Sequence, residues 1–241
     1  MVAVKVNLII PTAGRGTRLG NLTVHNTKNM VNVLNKPIFE HQLKNIKLKL
    51  LNKIIFVIGH KAKKFKNYIK NLNLPVKVEF INNSNYKNSQ CATSLLLALK
   101  KTDKPTIVLN SDLVLKEKVI TSLFKNKNKD FFFIRKPLKN SKSRKVKVFI
   151  KKKKVIKIGI NLKKFNFECV GPFIIQKKNI KELIYRGNLL KLKKLNKQSC
   201  YEFLGQTTKN INYSYKFIND GSWYEFNTKS DIKEFSKIKK F

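Results

Sequence analysis

The sequence predicts an α/β fold, a Rossmann-like mixed, mainly parallel sheet flanked by helices. Short Val- and Ile-rich runs recur through the first half of the chain, segments long enough for helices separate them, and the first run empties into a glycine-bearing loop, "NLIIPTAGRGTRLG" at 7–20. Buried strands alternating with helices are the pattern of a parallel sheet. A chain of 241 residues with 42% hydrophobic residues can bury a sizeable core. No internal repeat or low-complexity linker divides it, so 1–241 reads as a single domain.

The runs at 4–10, 54–58, 76–81 and 106–109 are short and apolar, as strands covered on both faces are. Between them, 37–51, 61–71 and 90–101 are long enough for helices. In the first, Ile38, Leu43, Ile46 and Leu50 fall near one face, and Pro37 stands where a first turn tolerates it. Beyond Asp112 the pattern loosens. Strands are expected at 131–135, 146–150, 155–160 and 169–175, and Lys151 to Lys154 as a solvated hairpin tip. Helices near 178–185 and 200–208 precede a final strand and a C-terminal helix from Thr228.

Charge is the unusual property: 53 Lys plus Arg stand against 13 Asp plus Glu, a net +40. One reading is a polyanionic partner such as nucleic acid or an anionic membrane surface. The other is compositional: Lys, Asn, Ile and Phe are all abundant, as an AT-rich coding sequence produces, and the lysines are scattered rather than gathered in a stripe. No apolar run approaches the about 20 residues of a spanning helix, and no signal-peptide pattern opens the chain. A cytoplasmic protein without membrane insertion is expected. Cys91, Cys169 and Cys200 are odd in number and far apart, which fits reduced core or site-wall residues better than disulfides or a zinc site. His25, His41 and His60 share no metal-ligand spacing.

The loop at 7–20 matches neither standard phosphate-binding pattern. A dinucleotide fingerprint needs glycine where Leu19 stands, and a P-loop needs lysine after its last glycine, where Asn21 follows Gly20. Its physics still points to phosphate. Gly14 and Gly16 let the backbone turn tightly and approach a ligand, their N–H groups can line an anion-binding concavity, and Arg18 can add a charge-assisted contact. A tight strand-to-helix turn with solvated arginines is the alternative.

Taken with "KNMVNVLNKPI", which begins ten residues past Arg18, "PTAGRGTRL" resembles the signature of the nucleotidyltransferases that activate sugar 1-phosphates and phosphocholine. The resemblance implies a GT-A-like fold, nucleotide binding by Ala13, Gly14, Gly16 and Thr17, and catalytic roles for Arg18 and Lys28. The family's usual Thr-Pro-Lys reads Asn26-Thr27-Lys28 here. "NSDLVL" places Asp112 at the family's magnesium-binding aspartate, at a strand end where α/β sheets gather ligand groups. "FECVGPFII" resembles its Glu-x-x-Gly strand and implies Glu168 and Gly171 beside the acceptor. "GSWYEFNTKSDIKEF" resembles its C-terminal metal segment and implies Glu225 as a second metal ligand, with Asn227 where aspartate is expected. "NSNYKNSQCATSLLLAL" is similar to a segment of phosphocholine cytidylyltransferases and implies Asn83 and Ser94 at the nucleotide.

The chemistry implied is nucleotidyl transfer with Mg²⁺ from an NTP to a small phosphorylated acceptor, with pyrophosphate released. The acceptor is left open among phosphocholine, aminoethylphosphonate and sugar 1-phosphates. A role in cell-surface polysaccharide or lipid precursor synthesis follows from the resemblance. A nucleotide-sugar glycosyltransferase would share the fold but would usually show Asp-x-Asp where "NSDLV" has one aspartate; an inactive relative is the other variant of that alternative. A basic nucleic-acid-binding protein would explain the charge and not the ordered arrival of the glycine loop, Lys28, Asp112 and Glu225. No specific nucleic-acid partner is expected, and the sequence assigns no oligomeric state.

Overall fold

Runs in which every second side chain is apolar on both faces can only be satisfied inside a covered sheet, and the computed structural model, which describes residues 5–137, 145–190 and 192–238, places them there. The first half of the chain contains β1 (Val6–Pro11), β2 (Asn32–Val33), β3 (Lys36–Pro37), α1 (Ile38–Lys44), β4 (Leu51–Ile58), α2 (Ala62–Asn71), β5 (Lys77–Asn82), α3 (Cys91–Leu99), β6 (Thr106–Val108), β7 (Leu113–Leu115) and α4 (Glu117–Lys125). The second half contains β8 (Phe131–Arg135), β9 (Lys147–Lys151), β10 (Lys154–Gly159), β11 (Phe167–Ile175), α5 (Lys177–Leu189), α6 (Leu192–Leu195), α7 (Cys200–Gly205), β12 (Ser214–Phe217), β13 (Trp223–Glu225) and α8 (Lys229–Ser236).

The main sheet has nine strands, ordered β10-β9-β11-β6-β1-β4-β5, with β8 paired to β11 and β12. β6, β1, β4 and β5 run parallel to one another, while β11 is antiparallel to β6, β8 and β9. Alternation sorts the side chains: Leu8, Ile10, Ile54 and Phe56 enter one core with α1 and α2, and Ile9, Ile55, Val57 and Val108 enter the other beneath α3 and α5. Phe56 meets Phe39 and Phe65 edge-on, each at 5.3 Å between ring centres. Because four consecutive strands point the same way, the segments after β1, β4, β5 and β6 leave from one edge of the sheet. That edge carries the site.

Several expectations change, and the one final strand expected is two, β12 and β13. Helix 37–51 is only Ile38–Lys44, because Asn45 turns its amide to the Leu115 carbonyl (2.7 Å) and Leu51 is already paired with Val6 in the β4–β1 ladder. Helix 200–208 stops at Gly205, which lies so close to the Ile158 carbonyl that a Cβ would collide with it. An unforeseen helix, α4, packs Val119, Ile120 and Leu123 inward. Of the strand expected at 4–10, residue 4 lies outside the described residues. Lys151 to Lys154 span the β9–β10 turn, where Lys152 and Lys153 adopt left-handed φ of 47° and 62° and are exposed.

Candidate functional site

The site begins where β1 ends. The Thr12 N–H and hydroxyl both donate to the Val57 carbonyl, at 2.8 and 2.9 Å, which ties the loop to β4. Gly16 turns the chain with φ of 65°, and its carbonyl accepts from the Leu19 N–H (2.9 Å) and the Thr23 hydroxyl (3.2 Å), closing the loop on a 3₁₀ turn at Thr17–Thr23. A Cβ on Gly16 would press on Thr23 and Lys28, whereas one on Gly14 would meet nothing within 4 Å. Gly14 thus offers its backbone to open space.

A second wall follows β5. Asn83 is buried, donates from Nδ2 to Ser89 and Ser94 (3.1 Å each) and accepts at Oδ1 from the Asn85 N–H. This network fixes the turn that delivers Tyr86 onto Gly59. A Cβ on Gly59 would lie 2.7 Å from Tyr86 and 2.9 Å from the Ala13 carbonyl oxygen. Gly59→Ala should therefore displace both walls and lower thermal stability by about 1–3 kcal/mol. A melting temperature unchanged from the parent would show that the contact yields at no cost.

The third side joins β7 to β13. Their antiparallel pairing sets Glu225 against Leu113, and the Phe226 N–H donates to the Asp112 carbonyl at 2.9 Å. Three cations converge here. Lys28 Nζ lies 2.7 Å from Asp112 Oδ2 and donates to Asn227 Oδ1 at 3.1 Å, Arg18 donates to the same Asn227 oxygen at 2.6 Å, and Lys145 lies 2.7 Å from Glu225. Burial disfavours the Glu225 carboxylate, but the charge and hydrogen bond of Lys145, a bond from Asn227 and the charge of Lys28 outweigh it and hold Glu225 below the usual carboxylate range. Asp112 Oδ1 is buried and has no hydrogen-bond partner among the described residues.

These walls enclose two adjoining cavities. One, of about 280 Å³, is lined by Ala13, Gly14, Gly16, Lys28, Asn83 and Asp112, with Tyr86, Ser89, Gln90 and Ser94 among the others. The other, of about 170 Å³, is lined by Asn110, Lys145, Gly171, Tyr201, Trp223 and Glu225 among others. Cys91 lines both. Among the described residues no three His, Cys, Asp or Glu side chains are grouped to hold an ion. The donors present fit a hard cation that keeps most of its shell as water and phosphate oxygens: the orphaned Oδ1 of Asp112, with Glu225 as the other carboxylate.

The pattern of the family described as Nucleotidyl transferase matches residues 7–157. The chain belongs to the nucleotidyl transferase family. Over 62 residues it is 40% identical to the choline-phosphate cytidylyltransferase of Streptococcus pneumoniae, covering 26% of this chain and 27% of that protein. Over 110 residues it is 27% identical to mannose-1-phosphate guanylyltransferase 1 of Arabidopsis thaliana, covering 44% of this chain and 30% of the relative. The matched stretches thus span less than a third of either relative's length. The fold is that of the inositol-1-phosphate CTP transferase of T. maritima, with TM-score 0.76 at 15% identity over 95% of this chain and 91% of that one. It is equally that of a putative glucose-1-phosphate thymidylyltransferase from Bacillus anthracis, with TM-score 0.78 at 15% identity over 98% and 97%.

Within this nucleotidyl transferase, the residues singled out in the sequence separate into groups. Ala13, Gly14, Gly16, Lys28, Asn83, Ser94 and Asp112 line the larger cavity, and Gly171 and Glu225 the smaller. Thr17 and Arg18 are exposed at the rim, and Arg18 reaches across to Asn227. Glu168 does not line the smaller cavity: its carboxylate is buried against Arg135, 2.9 Å from both Nε and Nη2. The smaller cavity also holds Lys145, Tyr201 and Trp223, to which the sequence assigns no role. The lone tryptophan was a signal available for the last, whereas nothing distinguishes Lys145 from the other lysines until the chain folds.

Proposed function

We propose that this chain transfers a nucleoside monophosphate from an NTP to a small phosphorylated acceptor and releases pyrophosphate. The observation that carries this reading is the single cavity in which the glycine loop, Lys28 and Asp112 meet, opening beside a second, smaller one. In this reading the larger cavity takes the nucleotide and the smaller the acceptor. A phosphate monoester is largely dianionic at neutral pH, its second pKa being about 6, so its oxygen attacks the α-phosphorus without a general base. The new P–O bond forms as the bond to pyrophosphate breaks, and catalysis consists of alignment and of positive charge near the departing oxygens.

The backbone N–H groups at Gly14 and Gly16 cradle the triphosphate. Lys28 and Arg18 neutralise it, and Thr17, Asn83 and Ser94 support its position. Gly171 and Glu168 belong to the acceptor side, Gly171 on the cavity wall and Glu168 through its bond to Arg135, whose guanidinium lies over the ring of the wall residue Trp223. Mg²⁺ held by Asp112, with Glu225, would supply further positive charge to the phosphates. The acceptor is phosphocholine, aminoethylphosphonate or a sugar 1-phosphate, and the product a precursor for cell-surface polysaccharide or lipid made in the cytoplasm by one 241-residue domain. No helix among the described residues is long and apolar enough to cross a membrane. Pyrophosphate release, measured with Mg²⁺ across a panel of NTPs and these acceptors, tests the reading. Failure of every combination would reject it.

The net charge of +40 has no part in this reaction. Replacing Lys151 to Lys154 by glutamine should leave pyrophosphate release unchanged, because that turn lies at the tip of β9 and β10 and lines neither cavity. Titration of labelled DNA and RNA at about 150 mM salt, near physiological ionic strength, should find weak binding that is indifferent to sequence and falls steeply as salt rises. Nanomolar, sequence-selective binding there would promote nucleic acid to the main partner.

A further inference from the structure

The three cysteines, far apart in sequence, converge on one wall. Cys91, Cys169 and Cys200 all line the smaller cavity, and Cys91 also faces the larger one. Two of the three are partners. The Cys200 N–H donates to Cys91 Sγ at 2.9 Å, which sets the first residue of α7 against the first of α3. The surrounding backbone keeps them in register: the Gln90 N–H donates to the Asn196 carbonyl (2.8 Å), the Ala92 N–H to the Gln198 carbonyl (3.2 Å), and the Thr93 hydroxyl to the Asn196 side chain (2.8 Å). Ser199 and Glu202 cap α7 reciprocally, so Cys200 is held at a defined place on that helix.

We propose that Cys91 and Cys200 form a reactive thiol pair in which Cys91 is the site of oxidation by a peroxide and Cys200 resolves it to a disulfide. The Cys91 thiolate attacks one peroxide oxygen, the O–O bond breaks, and the sulfur becomes a sulfenic acid while the other oxygen leaves as water after taking a proton. The Cys200 sulfur then attacks that sulfur and the hydroxyl leaves with the Cys200 proton as a second water. Two thiols lose two electrons and hydrogen peroxide is reduced to two waters. Sulfur reactivity follows thiolate character and access. Cys91 has both, since it accepts an N–H bond and is reached from either cavity. Its thiol is held below the ordinary value, with the Cys200 thiol as the largest cause, whereas burial and then Glu168 push Cys169 up. The disulfide would tie the first residue of α7 to the first residue of α3, across the wall shared by the cavities.

Peroxide titration of the full chain, followed by intact mass and peptide mapping, tests this without reference to the proposed transfer activity. The expected result is a loss of two hydrogen masses, a cross-link between the tryptic peptides 88–100 and 198–209, and full reversal by dithiothreitol. Cys169→Ala should behave as the parent does. In Cys200→Ala, the Cys91 sulfenic acid should persist and be trapped by dimedone; if that variant does not fold, the mapping on the parent chain decides alone. An unchanged mass, a cross-link through Cys169, or oxygen adducts on Cys91 with no cross-link in the parent would overturn the proposal.

Discussion

Asp112→Ala should abolish pyrophosphate release while the protein stays folded. The residue closes the parallel half of the sheet, its backbone carbonyl is held by the Phe226 N–H, and its side chain supplies the buried oxygen that no protein donor satisfies among the described residues. If that oxygen serves the cation on the triphosphate, its removal forfeits several kcal/mol of transition-state stabilisation, a fall in kcat/KM of about a thousandfold or more. Folding should change much less. The pair with Lys28 is lost, but Lys28 keeps Asn227 as a partner, and both side chains of the pair retain some exposure. Circular dichroism and thermal melting establish the fold, and single-turnover kinetics with saturating NTP measure the chemistry. A folded variant with near-parental turnover would remove Asp112 from the reaction.

Lys28→Ala should be the next most damaging change, and its effects should divide differently. With nucleotide bound, the ammonium stands on phosphates whose charge grows as pyrophosphate departs, so the nucleotide KM should rise and kcat should fall. Hydrogen bonds to charged groups contribute about 1.5–3 kcal/mol, which corresponds to roughly 10- to 150-fold in kcat/KM. Without nucleotide the same ammonium neutralises Asp112 and bonds Asn227. Lys28→Ala should therefore also lower the melting temperature, because a largely buried carboxylate loses its counter-ion. Arg18→Ala, at the exposed rim, should show the kinetic effect in weaker form and little change in stability. Parental kinetics in both variants would reduce the glycine loop to a turn.

The two variants differ for a reason that also separates what the sequence could reveal from what it could not. The strand–loop–turn around Gly14 and Gly16, the two-face burial of β1 and β4, and Asp112 in the short turn between β6 and β7 are local facts. Each rests on residues within about one element of one another, where side-chain period and glycine conformation decide the outcome. They are legible in the order of amino acids. The unforeseen α4 was legible in principle, since Val119, Ile120 and Leu123 share one helical face.

What the sequence could not reveal is which distant residue each charge meets. Lys28 finds Asp112 across 84 positions, Lys145 finds Glu225 across 80, and Cys91 finds Cys200 across 109. In a chain this rich in lysine any of many cations could have served, and only the sheet order, with β11 laid antiparallel between β6 and β9, brings particular ones to the cavity. Glu168 shows the same limit from the other side. It stands three residues before Gly171, yet its ladder position opposite Arg135 on β8 binds it to that partner instead of the cavity. Local sequence determined the strands, the turn and the aspartate at the sheet edge; tertiary structure alone decided which charges and thiols meet, because those distances are set by strand order and register.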